Sequence, residues 1–388
     1  MKGHKMLVYL DNSSTTKPYD QVIAKMVTGL ETYGNPSSMH RMGLEAEKLL
    51  KDARTEIAAS LKSNETEIIF TGSGTESDSL AILGSYNALK RRGNKIITSK
   101  IEHKAVLENC AYLERMGMKV VYLDVDESGK VNLEQLESEL DEKTILISIM
   151  WVNNEIGTIQ PIREIGDLKR KNDMLLFHSD AVQAYGKIPI DPKLPGLDLL
   201  SISAHKIHGP KGIGALYVRK GARIEPVILG GAQERGLRSG TENIPAIMGF
   251  SEASKISRAE ILDRHRKTSK LKSLLFEGIS SEIDNIKING SIGEESSPYI
   301  LNVSFLGTKG EVLLHMLEQD GIFVSTASAC SSNRNTESHV LKAMKLKEDE
   351  IKGAIRFSFS EFNTENEIVY TIDKLKKSVN LMRKGLVK

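Results

Sequence analysis

Cysteine is nearly absent from the 388 residues: Cys110 and Cys330 are the two that occur. Two thiols cannot make a disulfide framework, so a reducing compartment, the cytoplasm, is the expected location. Also missing is any apolar run of the roughly 20 residues that a membrane-spanning helix requires. The opening stretch, Met1-Lys2-Gly3-His4-Lys5-Met6, meets Asp11 too soon to hold the apolar core of a signal peptide. An excess of one charge is lacking too. Lysine and arginine number 53 against 51 acidic residues, a formal balance of +2. Dedicated nucleic-acid binders concentrate positive charge, so no direct nucleic-acid contact is expected. There is no internal repeat, low-complexity tract or proline-rich linker. What remains is ordinary globular material, 40% hydrophobic and 27% charged. At ~100–200 residues per domain, the length suits two domains of a soluble α/β enzyme.

From Glu67 to about Arg219, short β-branched runs alternate with amphipathic helical stretches. The strand candidates are Ile68-Ile69-Phe70, Ile96-Ile97-Thr98, Val120 to Leu123, Thr144 to Met150, Leu175 to Phe177, Leu199 to Ser203 and Gly214 to Val218. Such alternation predicts parallel βαβ units and a doubly wound sheet covered on both faces. A charged helical stretch, Ala253 to Gly278, reads as a connector. Beyond it, strand candidates Tyr299 to Phe305, Ile322 to Ser325 and Ala354 to Phe359 mix with helices as a smaller α+β unit. The last helix opens on Thr364 and Glu367, the spacing of a capping box. The expected division is a large domain over residues 16–255 and a small domain from residues 1–15 and 256–388.

In open α/β sheets, ligands bind beyond the carboxyl ends of the strands, so reactive groups there carry the most information. Thr71-Gly72-Ser73-Gly74-Thr75-Glu76-Ser77 follows a strand and opens a helix. Its glycines admit an anion and the helix N-terminus offers free N–H groups, although a plain strand-to-helix turn has the same composition. It is not a Walker loop, because no Gly-Lys-Ser/Thr follows. Asp180 ends a buried strand, where a carboxylate is costly unless it meets a cation or caps a helix. Lys206, in Ser203-Ala204-His205-Lys206, follows an apolar strand and precedes a Gly/Pro-punctuated loop. A desolvated lysine so placed can form a Schiff base. Cys330 lies in the small polar run Ser325 to Asn333, the setting of a reactive thiol, whereas Cys110 sits in a helical run that suits a core residue. An anion cradle, a strand-end carboxylate, a lysine and a loop cysteine are together the parts of a pyridoxal phosphate site.

With these parts in this order, the sequence resembles the cysteine desulfurases, pyridoxal-phosphate-dependent members of the class V aminotransferase family. The resemblance runs from Val8-Tyr9-Leu10-Asp11-Asn12 to about Arg383. It is carried by Asn35-Pro36-Ser37-Ser38, Gly74-Thr75-Glu76-Ser77, Glu102-His103, Val152-Asn153-Asn154-Glu155, Asp180, Gln183, Ser203 to Lys206, Arg238 to Thr241, Ser328-Ala329-Cys330 and Ile355-Arg356-Phe357-Ser358. It implies an α/β, fold-type I (aminotransferase-like) architecture, with a large mostly parallel sheet domain and a smaller α+β domain. It implies that Lys206 is the Schiff-base lysine, that His103 acts in proton transfer and that Cys330 accepts the sulfur. Asp180 would pair with the pyridine nitrogen, and Gln183 and Asn154 would bond the phenolic oxygen. Gly74, Thr75, Ser203 and His205 would hold the phosphate, with Thr241 arriving from a second subunit. Arg356 and Asn35 would hold the substrate carboxylate. The implied reaction takes sulfur from L-cysteine, gives L-alanine and a Cys330 persulfide, and passes sulfur to an acceptor protein of iron–sulfur assembly or tRNA thiolation. A homodimer is implied, and no metal. The competing readings are a selenocysteine lyase, another β-lyase or aminotransferase, and a low-turnover sulfur relay. The chain departs from the family at Ala327, where glycine is usual, and at Ser13-Ser14, where an alanine pair is common.

Overall fold

The computed structural model describes residues 6–170, 172, 174–326 and 337–385. Its large sheet has seven strands. From one edge they are Ile68–Thr71, Gly214–Val218, Leu199–Ser203, Leu176–Asp180, Thr144–Ser148, Lys95–Ser99 and Lys119–Leu123. Gly214–Val218 runs antiparallel to both neighbours, and all other pairings are parallel. Successive side chains of a strand point to opposite faces, and the cores follow that rule. Ile97, Ile147, Phe177 and Leu200 join one hydrophobic cluster, while Ile96, Leu146, Leu176 and Leu199 join another across the sheet. Both faces are therefore dry. This is why the central strands carry consecutive apolar residues, such as Ile145-Leu146-Ile147, Leu176-Phe177 and Leu199-Leu200, rather than alternating.

A second sheet of four antiparallel strands has the order Ser325–Thr326, Ala354–Ser358, Ile300–Phe305 and Ile286–Asn289. Beside it Val8–Tyr9 pairs in parallel with Ile322–Phe323. Val8 and Leu10 share the core of this second unit with Phe305, Phe357 and Ile372.

One helix, Ile244–Glu282, spans 39 residues, about 58 Å at ~1.5 Å per residue. Its first turns pack Ile244, Ile247 and Phe250 in the large core, and its last turns pack Leu271, Leu275 and Ile279 in the second. It starts earlier than the sequence pattern suggested. Asn243 Oδ1 accepts from Ala246 N (3.1 Å), and Pro245 sits in the first turn, where its missing N–H costs nothing. No helix among the described residues is long and apolar enough to cross a membrane.

Candidate active site

A cleft of about 400 Å³ opens at the carboxyl ends of the parallel strands. The Leu199–Ser203 strand delivers Ser203 to it, and the short turn Ala204–Lys206 adds His205 and Lys206. Lys206 Nζ donates to the carbonyls of Ser13 (2.6 Å) and Ser14 (2.7 Å). His205 Nδ1 bonds Thr15 Oγ1 at 3.2 Å. Burial, with the Lys206 charge beside it, pulls the His205 imidazole down to about 3, so it is neutral.

The adjacent strand Leu176–Asp180 ends on Asp180, whose Oδ1 accepts from Val182 N at 2.9 Å. Burial pushes this carboxyl up, and the charges of His103 and Lys206 work against that rise. His103 precedes the helix Lys104–Arg115 and caps it, Nδ1 accepting from Ala105 N at 3.1 Å. The ring proton therefore belongs on Nε2. Burial lowers the His103 pKa, which favours the neutral imidazole. Asp78, His103 and Asp180 each bring one oxygen or nitrogen atom to within 4.8 Å of the others.

Ser73 caps the helix Gly74–Leu89, its Oγ accepting from Glu76 N at 3.1 Å. Gly74 is the first residue of that helix, and only glycine fits. A Cβ there would lie 2.7 Å from Val182 Cγ2. Thr75 also lines the cleft.

On the opposite wall Arg356 projects from the Ala354–Ser358 strand and is 2% exposed. Its Nη1 donates to the Asn154 carbonyl (3.0 Å), and its Nη2 to Asp11 Oδ1 (2.9 Å) and Ser14 Oγ (2.8 Å). Gln183 Nε2 donates to the Ser13 carbonyl at 2.9 Å, while its Oε1 accepts from Lys187 Nζ at 2.7 Å. Lys187 is buried, which drives its pKa well below the ordinary lysine value.

The cleft thus brings together Gly74, Thr75, His103, Asn154, Asp180, Gln183, Ser203, His205, Lys206 and Arg356. Two expected residues stand apart from it. Thr241 lines a neighbouring hollow with Arg238 and Glu234. Asn35 is exposed, its Oδ1 accepting from Ser37 N at 2.9 Å. Cys330, with Ala327, lies outside the described residues. The sequence reading gave no place to Asp78, which lines the cleft and is 1% exposed. A signal for it existed: it follows Gly74 by four residues, one turn along the same helix face.

The residues present fit pyridoxal phosphate. Ser203 Oγ is buried without a hydrogen-bond partner, beside a helix N-terminus whose first N–H groups are free for an anion. Asp180 offers a buried carboxylate that a protonated pyridine nitrogen would satisfy. Lysine at the end of the neighbouring strand supplies the amine.

Residues 8–370 match the Aminotransferase class-V family, and the chain belongs to that family of pyridoxal-phosphate-dependent enzymes. Within it the similarity is to cysteine desulfurases. Cysteine desulfurase IscS of Methanosarcina thermophila is 44% identical over 377 residues, covering 97% of this chain and 93% of that protein. The structure of a NifS-like protein superposes with a TM-score of 0.91 at 42% identity, covering 97% of this chain and all of that one. SspA in complex with cysteine superposes with a TM-score of 0.81 at 35% identity over 92% of this chain.

Proposed function

We propose that the protein takes sulfur from L-cysteine, releases L-alanine and retains the sulfur as a persulfide on Cys330, from which an acceptor protein collects it. The observation that carries this reading is the convergence of Lys206, Asp180, Ser203 and Arg356 in one cleft. The balance closes without an outside oxidant. The substrate C–S bond breaks, a bond forms between its sulfur and Cys330 Sγ, and the carbon released by sulfur takes a proton. The carbon is reduced while the sulfur pair is oxidised.

Bound pyridoxal phosphate supplies the electron sink for the substrate α-carbon. Gly74, Thr75, Ser203 and His205 hold its phosphate, Asp180 its ring nitrogen, and Asn154 and Gln183 its phenolic oxygen. Lys206 is the amine that carries it, and it moves the proton at the α-carbon. His103, neutral, takes part in proton transfer through Nε2. Arg356 binds the substrate carboxylate in a two-pronged contact, with Asp11 and the Asn154 carbonyl fixing its guanidinium.

A homodimer completes the site. Thr241 reaches the partner copy's phosphate, and exposed Asn35 joins the substrate end from across the same interface. Large apolar side chains stand exposed on either side of Asn35, Val27 and Leu30 on the helix before it, Met39 on the turn after it and Leu44 on the next helix, and Leu229 stands exposed on the loop before Thr241. Such a patch is costly in water and suits burial against a second copy. Residues 16–255 form the cofactor-binding domain; residues 1–15 and 256–388 form the domain that carries Cys330 and Arg356. Function in the cytoplasm accords with a sequence of only two cysteines.

The test is mass spectrometry of the protein after cysteine treatment, with product analysis. The extra sulfur is expected on the Cys330 peptide, with alanine and no pyruvate. Lys206→Ala and Cys330→Ser should each lower alanine formation at least about a thousandfold. Sulfur on Cys110 would overturn the assignment, and that thiol is fully buried and pushed up to about 12. Pyruvate with ammonia would favour a β-lyase, and 3-mercaptopyruvate an aminotransferase. Full activity in a sedimenting monomer would remove the shared site.

A further inference from the structure

Away from the cleft, a cavity of about 540 Å³ lies between the long helix Ile244–Glu282 and the edge of the four-stranded sheet. Its walls are largely apolar, from Phe276 on the helix and Ile288 and Ile300 on the strands. Into this setting the helix places Lys272. The ammonium donates to Ser296 Oγ (2.6 Å) and to the Ser297 carbonyl (2.9 Å), both neutral. Among the described residues no carboxylate forms an ion pair with it, and burial alone lowers its pKa to about 8. Glu294 is at the exposed mouth, and His265 is a further titratable group in the lining.

Two residues of the lining also carry a buried oxygen without a hydrogen-bond partner. Ser291 is 8% exposed and Asn289 is 2% exposed, and neither Ser291 Oγ nor Asn289 Oδ1 has a hydrogen-bond partner. The Asn289 amide is oriented by Nδ2 bonds to Asn302 Oδ1 (2.8 Å) and Ser304 Oγ (2.7 Å), so the bare oxygen is not an inverted amide. Buried polar groups are rarely left unpaired, and a desolvated cation without a counter-charge is costlier still. The volume is that of a small-molecule site.

We propose that this cavity binds a small apolar monocarboxylate, with its carboxylate on Lys272 and its hydrocarbon body against Phe276, Ile288 and Ile300. One cation and an acidic mouth favour a monoanion over a phosphate, and the apolar walls favour an acyl chain over a sugar. Octanoate and octanamide share a hydrocarbon body and differ in charge. Isothermal titration of the cofactor-loaded protein should show one saturable octanoate site per chain, with octanamide at least tenfold weaker. Lys272→Met should reduce octanoate to the octanamide level. Ser269→Phe, which fills the cavity from the helix and leaves Lys272 in place, should abolish both. Equal affinity for the two probes, or octanoate binding that survives Ser269→Phe, overturns the proposal. If Lys272→Met does not fold, the two probes and Ser269→Phe decide it.

Discussion

A carboxylic acid that keeps its proton at neutral pH stands directly behind the cleft. Glu102 is 1% exposed, and burial pushes its carboxyl up to about 8. Ser99 Oγ donates to it at 2.6 Å, and Met150 N approaches both oxygens, at 3.1 and 3.0 Å. The folded pKa is raised, so above about 4.3, where the unfolded carboxyl ionises, the native state holds a proton that the unfolded chain has lost. Stability therefore falls as pH rises from there towards 8, by at most about 1.4 kcal/mol per unit. Glu102→Gln removes that dependence. Urea denaturation at about pH 5 and about pH 7.5 should show the variant gaining on the parent by roughly 1–3 kcal/mol over the interval. A constant difference would mean that Glu102 is ionised in the native protein. Sequence alone pointed to Glu102 and His103 as a pair but could not show this protonation. The pattern of a chain reveals which residues are charged and not which strand ends will bury them. Asp78 and Lys187 escaped notice for the same reason: each is a polar residue in a helical or turn segment, dried by elements distant in sequence.

The elements were more legible than their ends. Apolar β-branched runs marked the large sheet because strands dry on both faces have no polar alternation to dilute the signal. Ser203 to Lys206 was readable as a site because it follows such a run directly. The turn carrying Thr241 was named through the family resemblance alone, since its geometry depends on a helix far upstream. Glu234, held at φ 47°, accepts from both Nη atoms of Arg54 at 2.7 Å and from Phe70 N at 2.9 Å. Arg54→Met would keep the side-chain stem but leave a buried carboxylate without its cation, a loss of about 3–5 kcal/mol. Although Arg54 lies outside the cleft, the variant should shed pyridoxal phosphate faster on dialysis, read from the visible absorbance. The cause is a loosened turn ahead of Thr241. Unchanged cofactor retention with lowered stability would confine Arg54 to a folding role.

At the scale of the whole molecule, one carboxylate ties the two cores together behind Lys206. Glu361 follows the Ala354–Ser358 strand and pairs with Arg264 of the long helix, Nε at 3.0 Å and Nη2 at 3.2 Å. It also pairs with His208 Nε2 at 3.3 Å and accepts from the Tyr19 hydroxyl. Burial works against its charge, but the His208 hydrogen bond and the Arg264 charge outweigh it and hold the carboxyl well below the usual range. A depressed folded pKa gives stability that is complete above about 4.3 and is lost as pH falls through the folded value. Glu361→Gln preserves shape while removing the charge from a buried cation, so it should cost about 3 kcal/mol at neutral pH. The deficit should shrink as pH drops below about 4, because the unfolded parent then takes up a proton that its native carboxylate does not. Denaturant melts of both proteins across that range measure the effect. Since His208 is two residues past Lys206 and its backbone N–H donates to Thr16 Oγ1 at 2.7 Å, the turn that carries the lysine is braced from the same joint. Turnover should therefore fall along with stability. If kcat/KM stays at the parent value while the melt shifts, the joint holds the two cores together without setting the position of Lys206.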